Sequence, residues 1–512
     1  MKKRILSITL ALVLTISVVF VTHGQGYSLE EGRFYHGMTF AEFSQTQEYH
    51  STISRIMQQG LTQEFATNYI KSLAFIENLA QDFATDAGQW EFPEYIGGIY
   101  INDDGVLVIQ LTEGLNARSR DNAFATLSQY VDINNVLFGG VEFSYSELNN
   151  LLSHISSIML TEYNLYHYHL ENNNPNFQRI MSAAGVATDI NRVTVWIWDY
   201  SPEGIERFRR EVTDSPAIVF KPSEGHSIPF RPGRAESYLR MIELGIIDVR
   251  DFDPHLLMIV EWELGISIEI EDDYDNPFFP LPLPLPLPLQ QQEQYYLDFS
   301  PFDIRLRTIN AGQGLFRSAN ASGEHAGSNG FRARCLNTGQ EGIVIAAHSF
   351  SHGARVYNSA GGFLGNVCNI RWENSGRHDA AFVPIQPGTN ATNSLLNNMQ
   401  LSTARALPVM GATVAFQGYS TLRSNSARLG NLGRITNPNH TTNGSTGFII
   451  TDLYAFTGDS GSPLYVHGSN ATLGILRSGI FTGNLEGGRP LMRNITFTQA
   501  NSFLNTHGLT RY

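Results

Sequence analysis

Residues 458–463, with the sequence Gly-Asp-Ser-Gly-Ser-Pro, set one serine among small residues that let the backbone turn tightly. Such a turn exposes the hydroxyl of Ser460. A serine hydroxyl is a poor nucleophile alone, so this chemistry needs a histidine base, a carboxylate that orients the base, and backbone N–H donors for an oxyanion. A plain surface turn explains the same six residues, because Gly, Asp and Ser each favour turns. The rest of the chain has to supply the missing groups.

A histidine and an aspartate occur where such a site would need them. The apolar run 343–347 ends on His348, and Asp379 stands directly before the apolar run 380–383. Each residue alone has an ordinary interpretation: His348 ends a strand, Asp379 pairs with Arg377, and Ser460 lies in a turn. Their order is His, Asp, Ser, whereas α/β-hydrolases have the order Ser, acid, His and a glycine two residues after the serine. Together they indicate a nucleophilic serine with its base and orienting acid.

These motifs resemble those of the chymotrypsin-fold serine endopeptidases, in particular the secreted bacterial streptogrisin and alpha-lytic type. The resemblance covers residues 311–512 and is carried by Ala346-Ala347-His348, by His378-Asp379-Ala380 and by residues 458–463. It implies a trypsin-like double β-barrel of two six-stranded barrels with the site in the cleft between them. It also implies that His348 is the general base, Asp379 its orienting partner, Ser460 the nucleophile, and the backbone N–H groups of Gly458 and Ser460 the oxyanion hole.

By the same resemblance, a second group of residues lines the specificity pocket and substrate cleft. Ile480 stands where glycine is usual in the family and is expected to narrow the cleft. The charge of Arg477 suggests a preference for an acidic side chain at the cleaved bond. The residues expected in this cleft are Tyr454, Arg477, Ser478, Gly479 and Ile480.

The chain has two cysteines, Cys335 and Cys368. An exported protein meets oxidising conditions, so they form one disulfide or remain two buried thiols. Ser349 stands where the family usually has a cysteine, so any disulfide near the site has to join Cys335 to Cys368. With so few soft ligands no metal site is expected, and the chemistry requires no cofactor.

Charge divides the chain into two parts. Residues 301–512 hold 16 arginines, no lysine and 8 acidic residues, a balance of +8, and since the net charge of the chain is -14, the preceding 300 residues carry -22. The arginines are scattered, without the runs or interleaved aromatics typical of nucleic-acid binding. An intramolecular partner explains the opposition of charge better than nucleic acid.

The start of the chain has the features of a secretory signal peptide over residues 1–24. Three positive charges in residues 1–4 precede an apolar run over residues 5–21 and then small residues. The alternative is that the run remains as a single anchoring helix, since its length is near the lower limit for spanning a bilayer. The signal predicts a secreted, extracellular protein, with no membrane contact after cleavage and a possible association with the cell surface.

Residues 25–90 form a helical N-terminal segment, and residues 91–276 form an α+β region. Thr39 with Glu42 predicts a capping box, and the runs 96–101 and 106–111 predict a hairpin. Ser144 with Glu147 predicts a second capping box before a helix. A strand over 193–197, a helix after Ser201-Pro202 and a strand over 217–220 follow. His167 and His169 fit one side of a strand, but no third ligand accompanies them, so we expect no metal there.

A linker is predicted over 277–300, after the acidic run 269–275. Pro and Leu alternate five times within its stretch 279–289, which predicts an extended polyproline spacer. From residue 301 onward, short apolar runs separated by turns predict an all-β protease domain, with one helix over 496–506. Its strands are expected over 331–335, 342–347, 365–370, 380–385, 413–417, 447–450, 463–466 and 473–476.

The N-terminal α+β region resembles the pro-regions with which such proteases are made, which act as folding templates and inhibitors. The sequence therefore predicts a multidomain protein, a secreted serine endopeptidase made as a proenzyme. We expect it to act on polypeptides through an acyl-enzyme, with its own pro-region as partner, and to be a monomer. The alternative function is an inactive, protease-like secreted protein used for binding or adhesion.

Overall fold

The structure is a computed structural model, and it describes part of the chain. The predicted signal peptide, the acidic run 269–275 and the Pro/Leu linker lie outside the described residues. Within the described part, no helix is both long and apolar enough to cross a membrane. The described residues are 38–58, 60–85, 89–171, 179–223, 308–318, 325–368, 378–395, 399–404, 406–423, 432–442, 445–486 and 489–512.

Three helices open the described part of the chain. The predicted capping box is confirmed: the Thr39 hydroxyl accepts from the Glu42 amide, and the Glu42 carboxylate accepts from the Thr39 amide at 2.8 Å. The longest helix buries one face that includes Phe65, Tyr69 and Leu79. The helices are α1 (Phe40–Phe43), α2 (Gln47–Gln58) and α3 (Gln63–Phe83).

A first strand-helix-strand unit follows. The predicted hairpin is confirmed, with β1 (Ile96–Ile101) antiparallel to β2 (Leu107–Thr112). The Asn102 side chain accepts from the amides of Asp104 and Val106, which closes the turn between them. Helix α4 then returns the chain so that β3 lies parallel to β2. These elements span Ala117–Leu127 (α4) and Leu137–Val141 (β3).

The second unit has the same plan. Its first helix begins at the predicted capping box, in which the Ser144 amide donates to Glu147 at 2.7 Å. Its last helix begins at Ser201, whose hydroxyl accepts from the Gly204 amide. His167 and His169 belong to helix α5, so the expected strand there was wrong. The elements are α5 (Tyr145–Glu171), β4 (Met181–Ala187), β5 (Arg192–Ile197), α6 (Pro202–Glu211) and β6 (Ile218–Pro222).

The C-terminal part is almost entirely β. Its first group of strands is β7 (Thr308–Ala311), β8 (Gly314–Phe316), β9 (His325–Ser328), β10 (Arg332–Cys335), β11 (Glu341–Ile345), β12 (Arg355–Asn358), β13 (Phe363–Asn366), β14 (Ala381–Pro384) and β15 (Asn390–Leu395). Its second group is β16 (Thr413–Phe416), α7 (Tyr419–Arg423), β17 (Leu432–Thr442), β18 (Ser445–Thr451), β19 (Ala455–Phe456), β20 (Pro463–Val466), β21 (Thr472–Glu486), β22 (Arg489–Gln499), α8 (Ala500–Thr506) and β23 (Leu509–Thr510).

The second group closes into a barrel. The strand order is β16-β20-β21-β22-β18-β17, and β17 pairs again with β16, so six strands form a complete ring. The first group forms sheets with the orders β14-β11-β10, β13-β12-β8-β9 and β15-β7, and β23 of the second group extends the first of these beside β10. The expected fold class, an α+β N-terminal region followed by a β-barrel C-terminal part, is confirmed. The expected helix over 496–506 was wrong at its start, because residues 496–499 continue strand β22.

The two parts of the chain are joined by a shared sheet. Strand β17 pairs with β4, which places His440 opposite Gly185 and Thr442 opposite Ala183. Buried side chains cross the same junction: the Tyr69 hydroxyl donates to the Thr413 carbonyl at 2.8 Å, and the Trp90 indole donates to the Pro408 carbonyl at 3.2 Å. The N-terminal region therefore packs directly on the closed barrel, through its sheet and through buried side chains.

Candidate active site

Two neighbouring strands bring His348 and Asp379 together. Strands β11 and β14 are antiparallel, with Ile345 opposite Ala381. His348 follows the end of β11 in a short 3-10 turn, and Asp379 precedes the start of β14. Since these are the same end of the ladder, the two side chains lie side by side.

The contacts between His348 and Asp379 fix the orientation of the imidazole. Nδ1 of His348 lies 2.6 Å from Oδ2 of Asp379, and the His348 amide donates to Oδ1 at 2.9 Å. Asp379 is 2% exposed. An ionised carboxylate only accepts hydrogen bonds, so Nδ1 carries the proton and Nε2 is left as an acceptor. That tautomer is the one a general base requires.

Ser460 meets the open nitrogen of this imidazole. Its Oγ lies 2.8 Å from Nε2 of His348, and the residue is partly exposed. The turn depends on glycine at Gly461, where φ is +90° and an added Cβ would lie 2.3 Å from the Ser328 carbonyl oxygen. The Ser328 amide donates to the Ser460 carbonyl at 2.7 Å, which fixes the turn on strand β9.

Two backbone N–H groups of the same turn, those of Gly458 and Ser460, are available to a ligand, whereas the Asp459, Gly461 and Ser462 amides donate within the protein. Gly458 has a φ of +93°, and its carbonyl accepts from the Ser328 hydroxyl at 3.0 Å. Within the described part of the chain, neither the Gly458 nor the Ser460 amide donates a hydrogen bond. Two unused donors beside a partly exposed hydroxyl are suited to an oxyanion.

Asp459 is fully buried below this turn and fastens it to helix α7. Its Oδ1 accepts from the amides of Ser420 and Thr421 at 2.8 and 3.0 Å, and its Oδ2 accepts from the Phe456 amide at 2.9 Å and from the Thr421 hydroxyl. Burial raises the pKa of Asp459, and these hydrogen bonds oppose the rise. The sequence pointed to Asp459 as a turn residue alone and did not identify this role.

Arg477 lies behind the His–Asp pair. Its side chain is 8% exposed, and its Nε is 3.9 Å from Oδ2 of Asp379. Its guanidinium carbon stands 4.2 Å from the centre of the Phe448 ring. Burial acts to raise the pKa of Asp379, but the charge and hydrogen bonds of His348 and the charge of Arg477 outweigh it, so that pKa is held below its ordinary value. No pattern in the sequence indicated this contact.

The other residues expected in the cleft differ in exposure. Tyr454 is 44% exposed, while Ser478 and Ile480 are partly exposed. Gly479 is buried, and a Cβ there would lie 2.6 Å from Cδ1 of Ile495. Ser478, Gly479 and Ile480 follow Arg477 along β21, whereas Tyr454 lies in the segment between β18 and β19.

Of the two alternatives left open for the cysteines, a disulfide or two thiols, the structure has two thiols. Cys335 and Cys368 are both free thiols. Cys335 hydrogen-bonds with Thr338, which lowers the pKa of its thiol, whereas burial raises the pKa of Cys368. Within the described residues, no group of three or more His, Cys, Asp or Glu side chains could hold a metal ion.

Comparison with protein families identifies the N-terminal region. Residues 59–139 match the family model described as the Pro-like N-terminal domain, and residues 146–223 match the Pro-like C-terminal domain. Both are of the alpha-lytic protease pro-region type. The acidic half of the chain contains a pro-region. Its two matched segments correspond to the two strand-helix-strand units of the fold. No curated protein sequence matches the chain.

Solved structures similar to this chain include three bacterial proteases. A protease of Nocardiopsis is 21% identical, and the match covers 40% of this chain and 100% of that one, with a TM-score of 0.30. Chymotrypsin of Cellulomonas bogoriensis is 23% identical over 40% and 98% of the two chains, also with a TM-score of 0.30. Protease A of Thermobifida fusca is 20% identical over 40% and 97%, again with a TM-score of 0.30.

Proposed function

We propose that the chain is the proenzyme of a secreted serine endopeptidase that cleaves polypeptides through an acyl-enzyme. The observation that carries this proposal is the continuous hydrogen-bonded series from Asp379 through His348 to Ser460. Pro-like domains packed on a β-barrel C-terminal part support the proenzyme.

The roles of the three side chains follow from their contacts. Nε2 of His348 takes the proton of Ser460 as Oγ attacks the peptide carbonyl, and the imidazolium then donates that proton to the leaving amine. Oδ2 of Asp379 accepts the hydrogen bond from Nδ1 of His348, with 2.6 Å between the two atoms, and the carboxylate stabilises the positive charge of the ring. Water then repeats the sequence on the acyl-enzyme and releases the second product.

The amides of Gly458 and Ser460 are proposed to bind the oxyanion of both tetrahedral intermediates. Each amide used this way is worth about 3 kcal/mol in the transition state. We keep Tyr454, Ser478, Gly479 and Ile480 as the proposed substrate cleft. Because the charge of Arg477 is buried against Asp379, we propose that it acts through Asp379 and not through the substrate.

The pro-region is proposed as the intramolecular partner that helps the barrel fold and restrains the product until it is cut away. It supplies strand β4 to the barrel strand β17, so its removal changes the surface of the barrel. The proposal places the protein outside the cell, as a monomer that needs no cofactor.

The test combines labelling with processing. A fluorophosphonate probe should label the secreted protein at Ser460, and Ser460→Ala should abolish labelling and leave the chain at full length if processing is autocatalytic. Ser469→Ala is the matched control, because Ser469 lies in the turn between β20 and β21, away from His348. This control should be labelled and cut like the parent.

The second candidate, an inactive binding protein, makes the opposite prediction. If a folded, secreted chain reacts with the probe no faster than its Ser460→Ala variant, the endopeptidase proposal is wrong. The partly exposed Ser460 makes the measurement possible even with the pro-region attached.

A further inference from the structure

Arg477 occupies an irregular position in its strand. The pairing of β21 with β22 skips from Leu476, opposite Phe497, to Ser478, opposite Thr496. Arg477 is the extra residue of this bulge, and bulges redirect the side chain of the added residue. Here the side chain turns into the protein, where it is 8% exposed. A buried cation is costly unless an anion lies close to it.

Asp379 is that anion. Among the described ion pairs, Asp379 is the one partner of Arg477, at 3.9 Å between Nε and Oδ2. This separation is too long for a hydrogen bond, so the interaction is one of charge. Nε and Nη1 have no hydrogen-bond acceptor within the described residues. The centre of the Phe448 ring, 4.2 Å from the guanidinium carbon, also stabilises the charge.

Other titratable groups face this pair from each packed element. His440 lies on β17, and burial together with the charge of Arg477 lowers its pKa to about 3, so it is neutral near pH 7. Tyr163 on helix α5 interacts electrostatically with Arg477. His378, which precedes Asp379, is buried beside Phe503. None of these three side chains is a carboxylate.

We propose that Arg477 is a positioning residue of the catalytic pair, whose buried charge holds Asp379 in place beside His348. The inference rests on the proposed function, because it assigns Arg477 to the same triad. A positive charge beside Asp379 offsets part of the attraction of that carboxylate for an imidazolium proton. Removing this charge should therefore strengthen the hold of Asp379 on the imidazolium.

The experiment uses the full-length Ser460→Ala chain, which cannot process itself through Ser460. Proton NMR follows the far-downfield resonance of the hydrogen between His348 and Asp379 as pH is lowered. Arg477→Met in this background should raise the midpoint of that titration by about one pH unit. Arg477→Lys keeps the charge and should restore most of the shift.

Two results would overturn the proposal. One is an unchanged midpoint in Arg477→Met, and the other is a Lys variant that shifts as far as the Met variant. A merely structural role lowers the amount of folded protein but leaves the midpoint where it is. If Arg477→Met does not fold, Arg477→Gln, which keeps a polar side chain, answers the same question.

The outcome is independent of turnover. If the parent chain fails to react with a fluorophosphonate but the midpoint still moves, the proposed enzyme activity fails and the role of Arg477 stands. If the parent is labelled and the midpoint does not move, the proposed enzyme activity stands and the role of Arg477 fails.

Discussion

Asp459 makes more contacts with the rest of the protein than its place in a Gly-Asp-Ser-Gly turn indicates. It is a buried carboxylate that receives four hydrogen bonds, from the Ser420, Thr421 and Phe456 amides and from the Thr421 hydroxyl. All of them come from neutral donors. The carboxylate therefore joins helix α7 to the turn that carries the proposed nucleophile and oxyanion donors.

Replacing this carboxylate by an amide should damage stability and the site together. In Asp459→Asn, an NH₂ group has to face at least one of the four donors, which leaves a buried donor unpaired at a cost of about 2–4 kcal/mol. We expect that loss in the free energy of unfolding in urea and a strong decrease in Ser460 labelling. Asp452→Asn is the control, because Asp452 is exposed and lies in the same barrel.

A loss below about 1 kcal/mol in Asp459→Asn, equal to that of Asp452→Asn, would contradict this account. Normal labelling in a destabilised variant would show that the turn keeps its shape without the carboxylate.

At the residue scale, the sequence predicted what depends on spacing and order. His348, Asp379 and Ser460 were recognisable because each stands next to an apolar run or a glycine turn. The contact of Arg477 with Asp379 was not predictable, since it depends on a bulge in β21 that redirects one side chain. The free state of Cys335 was likewise outside what two cysteines in a sequence can indicate.

At the scale of elements, the pairing of β17 with β4 buries a titratable side chain. His440 is 5% exposed, and its ring lies edge-on to Trp196 of β5 with 5.4 Å between ring centres. Burial and the nearby Arg477 charge lower its pKa to about 3, against 6.5 ordinarily. The folded protein therefore holds this histidine neutral at pH values where the unfolded chain protonates it.

This linkage predicts a loss of stability on acidification. The pKa of His440 is lower in the folded protein than in the unfolded chain. Its contribution to the free energy of unfolding is therefore fully present above the unfolded pKa of about 6.5, and it is lost as the pH falls towards about 3. Lowering the pH from 7 to 5 should reduce the free energy of unfolding by about 2 kcal/mol through His440. Urea unfolding of the Ser460→Ala chain at both pH values measures it.

His440→Gln removes the titration and should flatten the change by about that amount, whereas His352→Gln, at an exposed position, should leave it as in the parent. Equal pH dependence in all three proteins would mean that His440 does not titrate with unfolding.

The elements that the sequence predicted are those with local signals. Capping boxes at Thr39 and Ser144 and the turn at Asn102 are fixed by residues three or four apart, and the structure has them all. Strand β17 was missed because its second half, including Pro438 and His440, is polar and shows no alternation. Its pairing with β4, distant in sequence, helps keep that half buried, and no local pattern records such a contact.

At the scale of the whole molecule, the pro-region and the closed barrel share one hydrophobic core. A single cluster of buried side chains runs from Tyr69 and Leu79 in helix α3 to Phe416 and Phe497 in the barrel. Ionic contacts contribute little to the junction, since the described pair across it, Arg434 with Asp103, involves an aspartate that is 97% exposed. The opposite net charges of the two parts, +8 and -22, are therefore better explained by long-range attraction between the parts than by ion pairs at the junction.

One core predicts one unfolding transition. In the full-length Ser460→Ala chain, peptides from β1–β3 and from β16–β22 should lose hydrogen-exchange protection at the same urea concentration, because their buried side chains belong to the same cluster. Hydrogen exchange with mass spectrometry measures both regions in one sample. Separate midpoints for the two regions would show that each part holds a core of its own.

Strand β4 also protects the backbone of its neighbour. While it is in place, residues 440–442 of β17 have a partner strand on that side. If the pro-region is removed, as proposed, these residues become an uncovered strand edge, which is a template for pairing with other chains. A processed chain of the kind proposed would then have a tendency to aggregate that the full-length chain does not have, because β4 would no longer cover this edge.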